Sequence, residues 1–124
     1  MSIALNHTIV AASDNFETAR FLTEVLGLEA PVDVEGGHFQ QVRLANEVAL
    51  DVMTVPGPIH PQHYAFLVSE PEFDEIFARI RERGLAFHAH PDGSGVGEIN
   101  HRFGGRGVYF PSPDGHALEA LTAV

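Results

Sequence analysis

The sequence predicts an α+β fold built from two β-α-β-β-β modules, and three observations predict it. The stretches opening at His7 and at His63 run through the same pattern. Each follows its first apolar run with a capped helix that stops at Gly-Leu. Each then ends on a strand carrying a carboxylate, Asp51 in the first and Glu119 in the second. Self-similarity at one fixed spacing is the mark of a duplicated supersecondary unit.

The first module opens on His7-Thr8-Ile9-Val10, an apolar, β-branched run typical of a strand. Asp14 followed three residues later by Glu17 fits a helix start in which side chains satisfy the unpaired amides of the first turn. Ala19, Leu22, Val25 and Leu26 then share one helical face. Gly27 ends the helix, since glycine accepts the left-handed conformation that closes a last turn. Strands are expected near 30–34 and 38–44, with a closing strand Ala49–Thr54.

The second module repeats this from His63. Ser69 and Glu72 form the helix start, Phe73, Ile76, Phe77 and Ile80 the apolar face, and Gly84 the stop. Strands are expected near 86–89 and 107–110. Turn chemistry at Pro113-Asp114-Gly115 leads into the closing strand 117–122. A glycine-rich insertion, 90–106, distinguishes this half. The proline-rich stretch 56–61 reads as a stiff connector rather than a boundary between independent domains. One domain spanning 1–124 is therefore expected, with modules of about 1–55 and 62–124.

Strand alternation places the two histidines. His7 shares a face with Leu5 and Ile9, and His63 with Ala65 and Leu67, while Tyr64, Phe66 and Val68 turn the other way to pack under the helix. A curved sheet would leave the histidine face lining a cavity.

Composition narrows the functional classes. Apolar residues at 44% and charged residues at 19% describe a globular chain, and 124 residues can bury a core without disulfides or structural metal. Cysteine is absent, which removes thiolate ligands and nucleophiles. The net charge is −10 and all seven basic residues are arginine, a balance that opposes nucleic acid and anionic membranes alike. No leader segment is read at the N-terminus, and the cytoplasm is the default expectation.

Repeated histidines and carboxylates on central strands are poorly explained by packing, because a buried charge is costly unless paired or metal-bound. Imidazole with carboxylate suits Fe(II), Mn, Co, Ni or Zn, and two histidines with one carboxylate leave coordination positions open. The alternative is hydrogen-bonded core histidines, with Glu119 paired to an arginine.

The chain resembles the vicinal-oxygen-chelate superfamily, the group of glyoxalases, bleomycin resistance proteins and extradiol dioxygenases. The resemblance is carried by Leu5-Asn6-His7, by FLTEVLGL from Phe21, by His63-Tyr64-Ala65-Phe66, and by Tyr109-Phe110-Pro111-Ser112-Pro113-Asp114-Gly115 running on to Glu119. Ser112 stands where the family usually has Asp. The resemblance implies paired modules forming a curved mixed sheet around a cavity, a homodimer, a small-molecule substrate, and one divalent metal per site held by His7, His63 and Glu119. Asp51 falls at a fourth-ligand position and, with Glu119, is a candidate for moving protons. Tyr109 matches a substrate-contacting tyrosine of the fosfomycin-resistance enzymes. Met53, Phe39 and Arg106 are further candidates for the substrate pocket, and Arg102 in the insertion could bind a substrate carboxylate. The remaining histidines, His38, His60, His88, His90, His101 and His116, are expected to be exposed.

The implied activity is that of a glyoxalase-like lyase or isomerase. The alternatives are bleomycin-type sequestration, fosfomycin-type thiol transfer and extradiol ring cleavage.

Overall fold

The computed structural model describes residues 2–124, which divide into two compact units, 2–59 and 60–124. In the first, strand β1 (His7–Ala12) leads into helix α1 (Asn15–Leu26), followed by β2 (Val32–Val34), β3 (Phe39–Arg43) and β4 (Ala49–Thr54). The order across its sheet is β1-β4-β3-β2, with β1 parallel to β4 and the other pairs antiparallel. The second unit contains β5 (His63–Leu67), α2 (Glu70–Glu82), β6 (Gly107–Pro111) and β7 (Ala117–Leu121), in sheet order β5-β7-β6. Both sheets are mixed, curved and open, so the class is α+β as expected.

The helix starts form where the side-chain chemistry puts them. Asp14 accepts hydrogen bonds from the amides of Phe16 and Glu17, and Gly27 closes α1 at φ 74°. Ser69 and Glu72 make the full reciprocal box on α2. Asn15 is buried at the start of α1. Its amide donates to Thr54 Oγ1 at 2.9 Å, and its side chain to the carbonyls of Gly37 and His38 at 3.0 and 3.2 Å. The helix is thereby tied to both the β2–β3 turn and the end of β4. Ala19, Leu22 and Val25 bury the face of α1 that packs over β3 and β4. In α2 the buried positions are Phe73, Ile76 and Ile80.

The strand expected at 86–89 does not form. Only His88 pairs in ladder fashion, exchanging both backbone bonds with Tyr109 at 3.0 and 2.9 Å. The neighbouring groups are taken by the insertion: Ala89 N–H donates to Gly95, His90 N–H to Ser94, and Gly97 N–H reaches back to Phe87. Gly95 makes this fold-back possible. Its φ is 71°, and a Cβ there would lie 2.7 Å from that of Ala89. The backbone bonds that would have extended a fourth strand are thus spent locally.

Candidate functional site

The first sheet has two unlike faces. Val10, Ala12, Gln40, Val42, Leu50 and Val52 are buried, while the alternate positions stay at least partly open. On the open face His7 pairs in register with Ala49, Ile9 with Asp51, Gln41 with Asp51 and Phe39 with Met53. Strand parity therefore puts His7, Asp51, Phe39 and Met53 on one surface. His7, Gln41, Arg43 and Asp51 line a hollow of about 590 Å³ in this unit. Asp51 is not free within it. Gln41 Nε2 donates to its carboxylate at 3.2 Å, and Arg43 Nε in turn donates to Gln41 Oε1 at 3.1 Å.

The second sheet repeats that register. His63 pairs with Ala117, Ala65 with Glu119, and Tyr109 with Glu119, so Tyr109 occupies the place of Gln41 and Glu119 that of Asp51. The surroundings differ. Glu119 is 9% exposed and Tyr109 only 4%, whereas Asp51 and Gln41 are only half-buried. The insertion accounts for the difference: Asn100, Arg102 and Phe103 close with Glu119 and Leu121 around a cavity of about 10 Å³.

Inside this cover the side chains form a chain. His63 Nε2 lies 3.0 Å from Glu119 Oε1. Burial pushes the Tyr109 hydroxyl above its ordinary pKa. The negative charge of Glu119 and the hydrogen bond to it push the same way, and Arg102, hydrogen-bonded to Tyr109, opposes them. Arg102 Nη2 meets His90 Nδ1 at 3.1 Å, and the ring of His88 stacks on that of Tyr109 at 5.6 Å. The alternative in which an arginine neutralises Glu119 is not what forms: the described partners of this carboxylate are an imidazole and a phenol. A nearly buried carboxylate beside a half-exposed imidazole is a donor set suited to a divalent cation. Among the described residues no three His, Cys, Asp or Glu side chains cluster as a metal site. His63 and Glu119 are thus brought together in one unit, and His7 and Asp51 share a face in the other.

Two candidates are placed differently from expectation. Arg106 is committed to carboxylates, with Nε 2.7 Å from Glu70 and Nη1 2.8 Å from Asp74, and its guanidinium lies 4.4 Å from the Phe73 ring. It staples the end of the insertion to α2 while also lining the cavity shared by Arg102 and Glu119. His116, expected to be exposed, is 1% exposed. Its Nδ1 accepts the Gln62 amide at 3.0 Å, and Tyr64 packs edge-on against it. His88 and His90 are half-buried rather than exposed, while His38, His60 and His101 are exposed.

The hydrogen bond to His116 fixes the residue preceding His63, and Ala117 N–H grips the Gln62 carbonyl at 2.8 Å. If His63 is a metal ligand, His116→Phe should weaken metal binding there by about 10-fold, the low end of the effect of losing a group bonded directly to a ligand, because His116 acts through the Gln62 backbone. His116→Asn, which keeps an acceptor, should recover part of that. Isothermal titration with Mn(II) reads both, and equal affinities in all three proteins would contradict a positioning role.

Comparison with known proteins gives four findings. A family model described as the Glyoxalase/Bleomycin resistance protein/Dioxygenase superfamily matches residues 4–120. The solved structure of oxidase ChaP-H1 is 55% identical, with 99% of this chain and 98% of that one covered at a TM-score of 0.96. The glutathione transferase FosA of Serratia marcescens is 28% identical over 94% of this chain and 78% of its own length. At 21% identity, and so informative for fold alone, a FosX mutant from Listeria monocytogenes was solved with Mn(II) and a dihydroxypropylphosphonic acid; coverage is 100% and 95%, and the TM-score 0.72.

Proposed function

The chain belongs to the Glyoxalase/Bleomycin resistance protein/Dioxygenase superfamily, and from that premise we propose that it is a divalent-metal-dependent oxidase of a small molecule, with His63, Glu119 and His7 as the metal ligands. The observation that carries the reading is the 55% identity, along essentially the whole chain, to a protein named as an oxidase. The site chemistry agrees with it. Two imidazoles and one carboxylate leave positions open for substrate. When bound, a redox-active divalent metal would supply Lewis acidity toward the substrate and electron transfer to dioxygen.

The protein's own groups have distinct tasks in this reading. Tyr109 holds the Glu119 carboxylate in one orientation, His63 presents Nε2, and the insertion keeps bulk water from the carboxylate. Asp51 would be the base of a lyase or isomerase, but its carboxylate is engaged by Gln41. The assembly is proposed to be a homodimer. β1 and β5 are the edges of their sheets, with Ile9 at 47% and Leu67 at 66% exposure on the histidine faces, and unpaired edges invite association.

An oxygen electrode tests the reading with Fe(II)-loaded protein and a panel of catechols and related polyphenols. Uptake should depend on the metal and persist within about threefold in Asp51→Asn. Turnover without oxygen consumption that falls about a hundredfold in Asp51→Asn, the scale of losing a general base, would assign the chain to the lyase or isomerase class instead. The likeness to FosA supports a second reading, thiol transfer, in which glutathione would be consumed and oxygen would not.

A further inference from the structure

The two modules prepare their histidines in different ways. In both, the residue before the opening-strand histidine carries a side-chain amide, Asn6 before His7 and Gln62 before His63. In both, the first amide of the closing strand grips that residue's backbone carbonyl, Ala49 at 2.9 Å from Asn6 and Ala117 at 2.8 Å from Gln62. The backbone step into the histidine is therefore the same. The hold on the ring is not.

The His63 ring meets the Glu119 carboxylate through Nε2 at 3.0 Å. At the equivalent place in the first module the Asp51 carboxylate is taken by Gln41. The His7 ring is held from its other side, with Nδ1 2.8 Å from Asn6 Oδ1. An amide oxygen only accepts, so a neutral imidazole makes this bond only when its proton sits on Nδ1. The lone pair is then on Nε2, and the bond made by one ring nitrogen decides what the other can do. A free neutral histidine in water favours the opposite tautomer, with the proton on Nε2, so the arrangement needs a partner to hold it. Asn6 is the next residue in the chain, and Ala49 already fixes its backbone. The acceptor is thus placed beside the ring by folding itself. Asn6 and His7 are exposed in their unit, and water competes for the pair.

We propose that Asn6 is the positioning residue of His7: its Oδ1 holds the imidazole as the Nδ1–H tautomer and presents the Nε2 lone pair before any metal arrives. Only the last step, in which Nε2 takes a divalent cation, rests on the metal-dependent reading. The two histidines then differ in readiness. A cation at His63 must replace the contact that Nε2 makes with Glu119, whereas at His7 the engaged nitrogen is the one that does not coordinate.

Long-range proton–nitrogen correlation spectra of the metal-free protein, at a pH where the ring is neutral, read the tautomer directly. The His7 signals are identified by their loss in His7→Ala. The unaltered protein should carry the proton on Nδ1. Asn6→Leu, which keeps the shape and removes the acceptor, should move the ring toward the Nε2–H form. Asn6→Asp, which keeps an acceptor oxygen, should return it to Nδ1–H. The His63 pattern should stay the same throughout, which a general disturbance of the fold would not allow. The same His7 tautomer with and without the Asn6 acceptor would overturn the proposal.

Isothermal titration with Mn(II) supplies the second arm. Asn6→Leu should weaken binding by about 10-fold, the low end for losing an outer partner because the pair is exposed. Asn6→Asp should bind no more weakly than the unaltered protein. Undiminished affinity in Asn6→Leu, in a protein that loses its metal in His7→Ala, would also overturn the proposal. Retention of the metal in His7→Ala would fault the ligand assignment alone, and the tautomer spectra would still decide the role of Asn6.

Discussion

On the proposed reading, in which His63 and Glu119 hold a divalent metal, His63→Ala and Glu119→Ala should each abolish metal uptake and all metal-dependent turnover. The two side chains meet at 3.0 Å from parallel neighbouring strands, and Glu119 is only 9% exposed. Deleting either leaves too few donors to hold the ion. The loss in Mn(II) or Fe(II) affinity should therefore exceed the ~10-fold expected of His116→Phe. Plasma mass spectrometry on purified variants reads the metal content, and circular dichroism confirms that the fold survives. Full occupancy in the double variant would place the ion elsewhere. His7→Ala should lose the metal as well. If the homodimer shares its sites, mixing His7→Ala with Glu119→Ala chains should restore one site per mixed dimer. Sedimentation showing monomers throughout would exclude that arrangement.

The largest effect on stability is expected from Phe73→Ala. Phe73 is fully buried on α2, stacks against Phe77 with ring centroids 6.0 Å apart, and carries the Arg106 guanidinium 4.4 Å above its ring. Removing such a side chain costs about 3–5 kcal/mol, from lost burial and the cavity left behind. The guanidinium would also lose the platform that orients it toward Glu70 and Asp74, both on the same helix. Urea denaturation should show the loss in full, and the melting temperature should fall by about 10–20 °C for a chain of this size. Arg106→Met, which keeps the apolar stem over the ring, should cost less than half as much. A loss below about 1.5 kcal/mol for Phe73→Ala would mean that the insertion is not anchored through this contact.

Much of the fold is legible in the sequence because local physics writes it there. Ser69 with Glu72 specifies a helix start whatever surrounds it, and Gly27 specifies a helix end. The period-two alternation through Phe39-Gln40-Gln41-Val42 and Leu50-Asp51-Val52 fixes which side chains share a face, and the observed register keeps that parity. The same arithmetic, applied to both halves, puts His7 with Asp51 on one face and His63 with Glu119 on the other module's equivalent face.

The failures lie in the insertion and the turns, where period carries no information. The segment at 86–89 has strand-like residues, yet Gly95 and Gly97 capture its backbone groups at short range. The burial of His116 depends on Gln62, fifty-four positions away, offering an amide to its ring.

The sequence by itself determined the helix caps and the strand parity, because these follow from interactions between residues a few positions apart, and their repetition in both halves gave the two-module plan. Only the tertiary structure decided what the charged groups do. Arg102 and Arg106 sit in the same glycine-rich stretch and are chemically identical. One ends against Glu70 and Asp74, the other against Tyr109 and His90. The same holds for Asp51 and Glu119, equivalent in the repeat but set apart by Gln41 in one sheet and Tyr109 in the other. A side chain's charge is written at its own position; its counter-charge and its exclusion from water come from residues distant in the chain, and those are fixed only when the chain folds.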